Sequence, residues 1–577
     1  VTRRRGRIAA PSAAAGACLA LSLPPAGWWP LAFVGAGILA WRLDRLRARA
    51  RLLAGWTCGL GCFVPGLAWS VSFNWYGAAI LMAVEALSMG LAAMAVPPRC
   101  HGWARLAACT GAFTLAEAVR LRWPLGGLPL GGVFLGQGNG PLLGTARLGG
   151  PLLLTACVWA TGAALADAGA AAAARRAAAR LARSPAVAVP LALVVLAAVG
   201  DAAPDGGPAA RTVRVAAVQG GGPRGIDGPS PDPVAVLRAQ LAASSTLARP
   251  ARRGQVPALV VWPEDTVAIT GPLRTSPAVH RVADLARRLG TTLVVGVTDT
   301  VSARAFRNEV TVFGPAGRVV ATYEKVHRVP FGEYVPWRAE LAHFANLSRV
   351  PLDAIAGTGT GLLRTPAGPL GALVSFETFF AGRGRAAVGA GARLLVVPTN
   401  TASYASDQVP SQELAADRVQ AVDTGRDLVQ ASTTGYSAIV DHRGTVRLRS
   451  VLGRRQVLVA TVALRRGWTP YQLAGDLPVL LLAGAALAGA WLAAGRPDIL
   501  ARRVRAATSR AVRRWRDRSH RAGAAVVGEP GVTRSSPSGC RRTARPRPRT
   551  WRGWRDRPRG PDERRSRSGA AAGRRPA

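Results

Sequence analysis

Tyr323-Glu324-Lys325-Val326-His327-Arg328-Val329-Pro330-Phe331-Gly332-Glu333-Tyr334-Val335-Pro336 is the stretch from which the rest of the chain is read. It holds the single lysine of a 577-residue sequence that carries 74 Lys+Arg. Everywhere else a cation is an arginine. A guanidinium is planar and permanently protonated. An ammonium is a compact point charge that can sit beside a developing oxyanion or trade a proton. A compositional drift from lysine to arginine would have taken Lys325 as well, so we read a chemical requirement at this position.

Working outward, the composition is 49% hydrophobic with 18% charged residues, which means apolar spans alternating with charged loops. A net charge of +43 raises the question of nucleic acid. Its distribution fits membrane topology better, because much of it lies at the far C-terminus and in short loops between apolar runs. Apolar runs near the length a bilayer requires occur at about 8–25, 28–42, 53–73, 77–97, 104–121, 147–169, 184–200 and 475–495. The run at 104–121 carries Glu117 and Arg120 and is the weakest by hydropathy. Because the second run follows the first at once, the basic start is read as one arm of a helical hairpin and not as a signal peptide. With the N-terminus inside, the Arg-rich segments 1–7, 42–51, 99–105 and 175–183 all fall on the cytoplasmic side. The expected organisation is a polytopic α-helical membrane domain over 1–200 with seven spans, an extracytoplasmic domain over 201–474, and an eighth span over 475–495. Residues 496–577, with about 25 arginines against six acidic residues, are expected to be a disordered cytoplasmic tail. Attraction to anionic lipid is its expected role.

The 201–474 block reads as α/β. Short β-branched runs recur at Val213–Val218, Leu259–Trp262, Thr292–Val297, Val310–Phe313, Ala372–Ser375, Leu394–Val397, Leu428–Ala431, Ala438–Asp441 and Val457–Val462. Helical stretches at 233–248, 277–290 and 411–425 lie between some of them. Residues 314–317 and 441–444 read as hairpin turns. None of the seven cysteines lies in this block. None has zinc spacing, and no metal or cofactor is expected.

Three of these strand ends carry chemistry. Trp262-Pro263-Glu264 closes one, Lys325 follows the Val310–Phe313 hairpin, and Ser375-Phe376-Glu377 closes another. A carboxylate, an ammonium and a hydroxyl converging on one cleft supply a general base, an oxyanion partner and a nucleophile for acyl transfer. Spacing alone also fits solvated side chains at strand ends.

These segments, with Val218-Gln219, Arg307-Asn308, Pro398-Thr399-Asn400, Thr433-Thr434-Gly435, Thr469-Pro470-Tyr471 and Glu117…Arg120…Pro129…Gln137, resemble the apolipoprotein N-acyltransferases, the membrane branch of the nitrilase superfamily. The run Lys-x-His-x-Val-Pro-Phe-Gly-Glu is very specific to that family, and the resemblance covers roughly residues 8–495. It implies an αββα sandwich in a bacterial plasma membrane protein. It also implies a two-step transfer of a fatty acyl chain from a phospholipid donor to the α-amino group of a diacylglyceryl-cysteine apolipoprotein, with no nucleic-acid partner. By the same motifs Glu264 is the general base and Lys325 the oxyanion-stabilising ammonium. Glu333, Glu377 and Asn400 support the pocket.

The departure falls at the nucleophile. The family pattern is Cys-Tyr/Phe-Glu, and here it is Ser375-Phe376-Glu377. The usual Asn-Asp-Ala-Trp stretch is altered to Asn400-Thr401-Ala402-Ser403-Tyr404. Two readings follow: an acyltransferase working through Ser375, and a catalytically impaired paralogue that binds lipid or lipoprotein.

Overall fold

The computed structural model describes residues 2–44, 46–173, 184–225, 232–248, 256–344 and 346–495. The tail at 496–577 and the whole basic loop at 175–183 lie outside the described residues.

The described residues up to Ala202 are mainly helical. They form α1 (Thr2–Ser22), α2 (Pro30–Arg42), α3 (Ala48–Gly66), α4 (Trp75–Ala95), α5 (Trp103–Arg120), α6 (Ala146–Ala173) and α7 (Pro185–Ala202). A helix therefore lies on each of the first seven apolar runs. Among the described residues four stretches are long and apolar enough to cross a membrane: Trp75–Ala95, Leu143–Ala172, Pro185–Ala202 and Leu477–Gly495. Small residues set the contacts between helices. A Cβ on Gly55 or Gly59 of α3 would stand 2.3 Å from the Met89 carbonyl oxygen or 2.6 Å from the Ala86 Cα, so the backbones of α3 and α4 touch. α6 is kinked at Gly149-Gly150-Pro151, where Gly150 has φ 60° and packs against the Tyr471 ring.

Charge is buried in this bundle as a closed cluster. The Arg120 guanidinium donates to Glu117 at 2.8 and 2.9 Å, to Glu85 at 3.2 Å, and to the carbonyls of Leu128, Pro129 and Leu130. Two carboxylates and three carbonyls fill the fork of one arginine, so neither ion is left alone in an apolar medium.

Two sheets follow. The first contains β1 (Ala209–Gln219), β2 (Leu259–Val261), β3 (Val267–Thr270), β4 (Thr292–Thr300), β5 (Ala305–Phe313), β6 (Val319–Glu324), β7 (Asp353–Ala354) and β14 (Gln456–Arg465). The second contains β8 (Leu362–Thr365), β9 (Gly368–Ala372), β10 (Leu394–Thr399), β11 (Leu428–Ser432), β12 (Ala438–Val440) and β13 (Val446–Arg449). Their strand orders are β14-β1-β2-β4-β5-β6, with β3 on β4 and β7 on β5, and β13-β12-β11-β10-β9-β8. Val215, Val261, Val294 and Val312 of one sheet meet Leu370, Val396, Val429 and Ile439 of the other in a dry layer. Helices α8 (Pro233–Ser244) and α9 (Pro277–Leu289) cover the outer face of the first sheet. Helices α10 (Ala381–Gly389) and α11 (Gln408–Thr424) lie on the outside of the second. The result is the αββα sandwich expected. Helix α12 (Leu477–Gly495) then returns to the bundle beside α5, where Gly111 admits the Ala483 carbonyl.

The topology places the site. β1, β2 and β4 are mutually parallel. β5 is antiparallel to β4, and β6 to β5, so β6 regains the direction of β2. β9, β10 and β11 are likewise parallel. The ends of β2, β6, β9 and β10 are where Glu264, Lys325, Ser375 and Asn400 follow, and side chains of an open α/β sheet meet ligands at such carboxyl ends.

One strand ends earlier than its apolar pattern predicts. The pattern predicts a strand over Ala372–Ser375, whereas β9 runs over Gly368–Ala372 and Ser375 opens a 3₁₀ turn to Phe379. The cause is Glu377, whose carboxylate takes the Val374 N–H at 2.9 Å and pulls the backbone out of the ladder.

Candidate active site

Lys325 is 1% exposed and lies between two carboxylates, with Nζ 2.8 Å from Glu264 Oε1 and 2.7 Å from Glu333 Oε1. Asn308, near the start of β5, donates Nδ2 to the same two oxygens at 2.7 and 3.0 Å. The other Glu264 oxygen accepts from the Asn400 N–H at 3.1 Å, and the other Glu333 oxygen from the Val329 N–H at 2.7 Å. The backbone is tied as well: the Lys325 N–H donates to Asn308 O, and its carbonyl accepts from Gly357. Behind Glu264 the Trp262 ring is fully buried, its Nε1 bonded to Ser244 Oγ at 2.9 Å.

The electrostatics follow from burial and pairing. Burial works against the Lys325 ammonium, but Glu264 and Glu333 outweigh it and hold the group protonated well beyond the usual lysine range. Burial raises the Glu264 carboxyl against the pull of Lys325, and Asp265 and Glu333 add to the rise. A carboxylate held above its ordinary range is a better proton acceptor near neutrality than a solvated one. Two of the three ammonium hydrogens are used by the carboxylates, and the third is available for an oxyanion.

Ser375 sits at φ 50°, left-handed although it is not a glycine, on the sharp turn after β9. Asp265, Phe331 and Trp337 also have positive φ, so strained backbone gathers in the segments around this site. The Ser375 hydroxyl is 3.1 Å from Thr399 Oγ1, which is in turn 2.6 Å from Glu413 Oε1. Among the described residues Ser375 makes no hydrogen bond to Glu264 or Lys325.

Glu377 has a different place from the one expected for a pocket carboxylate. It is fully buried, and its oxygens accept from the Tyr323 hydroxyl, from the N–H groups of Val326 and His327, and from Val374. It staples the segment after Lys325 to the turn that carries Ser375. Asn400 joins the two sheets at the site: its N–H reaches Glu264, its Nδ2 reaches Asp265 at 3.1 Å, and its Oδ1 accepts from Thr433 at 2.8 Å. The altered stretch after it brings the Tyr404 ring against Trp69 and Phe73 of the helical part.

Of the residues proposed from sequence, the structure joins Glu264, Lys325, Glu333 and Asn400 in one hydrogen-bonded group, and Ser375 hydrogen-bonds Thr399, the chain neighbour of Asn400. Asn308, Tyr323, Thr399 and Glu413 were not assigned roles. The first three lie inside motif segments already noted, whereas no motif carries Glu413.

Residues 15–164 match the sequence model described as apolipoprotein N-acyltransferase N-terminal domain, and residues 214–467 the one described as carbon-nitrogen hydrolase. An apolipoprotein N-acyltransferase of Mycolicibacterium smegmatis is 32% identical over 511 residues, 83% of this chain and 85% of that protein. One of Azotobacter vinelandii is 31% identical over 514 residues, 82% of this chain and 94% of that protein. The chain belongs to the apolipoprotein N-acyltransferase family. Among solved structures, an amidase from Nesterenkonia sp. aligns with 46% of this chain and 98% of its own at 20% identity and TM-score 0.34. Nit3 of Saccharomyces cerevisiae, a nitrilase-superfamily protein, aligns with 44% and 91% at 20% identity and TM-score 0.34. Both of those alignments cover less than half of this chain, whereas the N-acyltransferase relatives align across the helical part and the sandwich alike.

Proposed function

We propose that this chain is an acyltransferase that moves a fatty acyl chain from a membrane phospholipid to the N-terminal α-amino group of a diacylglyceryl-cysteine apolipoprotein, through an acyl ester on Ser375. The observation that carries the reading is the sole lysine, buried between Glu264 and Glu333 beside a serine on a strained turn. In the first half-reaction the Ser375 oxygen attacks the phospholipid ester carbon and its proton passes to Glu264. The oxyanion is met by the free N–H of Lys325. Collapse expels the lysophospholipid alkoxide, which takes the proton from Glu264. In the second half the apolipoprotein amine attacks the acyl ester, Glu264 accepts the amine proton, and the Ser375 oxygen leaves with it. Glu333 and Asn308 aim the ammonium, Glu377 fixes the turn, and Asn400 fixes Glu264. We place the helical residues 1–200 and 475–495 in a bacterial plasma membrane as eight spans, with 201–474 outside and both termini in the cytoplasm.

Serine at the nucleophile is the observation that favours a second reading, a lipid- or lipoprotein-binding paralogue with little turnover. A single assay separates them. Purified protein in detergent is given a phospholipid and a synthetic diacylglyceryl-cysteine peptide, and mass spectrometry follows the N-acylated peptide. Product that disappears in Ser375→Ala supports the acyltransferase. Absence of product from folded protein supports the binder.

A further inference from the structure

The mechanism above leaves one feature of the site unused. Glu413 is buried in α11 at 1% exposure, with Oε1 on Thr399 and no hydrogen-bond partner for Oε2 among the described residues. Thr399, the last residue of β10, stands between that carboxylate and the Ser375 oxygen, at 2.6 and 3.1 Å. A threonine hydroxyl has one proton, so it can donate to only one of these neighbours at a time. We propose, resting on the acyl-serine reading, that Glu413 is a positioning residue that sets the direction of the Thr399 hydroxyl and thereby frees the Ser375 oxygen for attack.

When Glu413 is a carboxylate it is acceptor-only, and the short contact is then a charge-assisted bond donated by Thr399. The Thr399 oxygen is left as an acceptor that holds the resting Ser375 hydroxyl with both of its lone pairs free for an acyl carbon, and attack then passes the Ser375 proton to Glu264. When Glu413 is protonated it donates to the Thr399 oxygen. The Thr399 proton then turns to Ser375 and occupies a lone pair needed for attack. A thiolate has no proton to direct, so the arrangement serves a hydroxyl specifically.

The groups facing Glu413 are Thr399 of β10, Lys325 beyond β6, Asp417 one turn on in α11, and Tyr404 in the preceding loop. Burial raises the Glu413 carboxyl to about 7, while the Thr399 bond and Lys325 oppose the rise. The orientation of the pair therefore changes near neutrality, and attack by Ser375 is favoured on the alkaline side.

The test uses the full-length protein in detergent and a fluorophosphonate probe that labels an activated serine, with the labelling rate followed by mass spectrometry from pH 5.5 to 8.5. Glu264 and Glu413 both switch on with rising pH, so the wild-type acid limb is steeper than one proton. Glu413→Gln is expected to lose one proton from that limb. Thr399→Val is expected to label about tenfold more slowly at pH 8, the loss of one hydrogen bond to a charged relay. Thr399→Ser, which keeps the hydroxyl, retains the wild-type rate and profile. A thermal melt of each variant distinguishes a lost fold from a lost orientation. An unchanged pH profile in Glu413→Gln, or a wild-type rate in Thr399→Val, overturns the proposal while leaving the acyl-serine reading intact. Failure of folded wild-type protein to label at Ser375 at any pH overturns both.

Discussion

At residue 375 the two candidate nucleophiles differ in one decisive property. A thiol ionises near pH 8.5, about two units lower beside a cation, whereas a serine hydroxyl must lose its proton during attack. An oxygen ester is also a poorer acyl donor to an amine than a thioester. Since Glu264, Lys325, Glu333 and Asn308 remain assembled, Ser375→Cys is expected to raise N-acylation of the synthetic peptide by about tenfold or more. Equal or lower turnover from the folded variant would move the fault to the altered segment 400–404. Lys325 offers the converse experiment. Lys325→Met strands the buried Glu264 and the half-buried Glu333 without a counter-ion, a change that costs about 3–5 kcal/mol. Loss of acyl transfer together with a clearly lower melting temperature is the expected outcome, and a melting temperature equal to wild type would contradict the paired arrangement. At this scale much was legible in sequence. A lone lysine in an arginine chain and a strand-end Glu264 pointed to one cleft. The function of Glu377 was not legible, because a motif names a carboxylate without saying whether it faces a ligand or the Tyr323 hydroxyl and three backbone N–H groups. Glu413 was invisible for a similar reason: its meaning comes from a contact with Thr399 across 14 positions of chain.

At the scale of the element, α11 is the helix on which the site leans. One face presents Gln408 and Gln412 to the helical part: Gln412 accepts from the Gly131 N–H at 2.9 Å and donates to the Gly66 carbonyl at 3.1 Å. Other positions bury Glu413, Asp417 and Asp423, all with carboxyls raised first by burial. Asp423 has no hydrogen-bond partner on either oxygen among the described residues. The sign of the linkage follows. For Glu413 the folded value is about 7 against about 4.3 for an unfolded chain, so between them the folded state holds a proton that the unfolded state has released. Its contribution is fully present below the unfolded value and is lost as pH rises through 7, at about 1.4 kcal/mol per unit within that window. The melting temperature in detergent is therefore expected to fall from pH 5 to 8. Asp423→Asn, isosteric and uncharged, is expected to raise it at pH 8 and to flatten the slope. A variant less stable than wild type at pH 8 would show that Asp423 has a partner in the folded protein. The sequence suggested a helix over 411–425, and the observed helix starts three residues earlier. Its burial on all sides was not foreseeable from charged letters.

At the scale of the whole molecule, hydropathy and structure agree on where helices lie and diverge on how many stand alone as spans. The runs at 8–25, 28–42, 53–73 and 104–121 fall on helices below the length or hydropathy of a self-sufficient span, because small residues and the buried Arg120 cluster replace long apolar side chains at their contacts. Under the eight-span reading such segments insert with their neighbours, a contribution that a window of sequence does not register. The eight-span reading makes a sidedness prediction that cysteine chemistry can check. Residues 201–474 contain no cysteine, so a new thiol there is unambiguous. Val301, 40% exposed in the turn between β4 and β5, becomes the reporter for the sandwich in Val301→Cys. His101, in the loop between α4 and α5 with 58% of its side chain exposed, becomes the reporter for the opposite face in His101→Cys. A membrane-impermeant maleimide applied to intact cells is expected to label Val301→Cys at once and His101→Cys only after the membrane is opened. Both reporters are placed in a Cys540→Ser background, which serves as blank, the six described cysteines being buried or half-buried in or beside the helices. Labelling of both reporters from outside would remove one crossing between them and with it the even count. Labelling of His101→Cys alone would invert the protein, and would put Ser375 on the side of the membrane opposite to the one proposed.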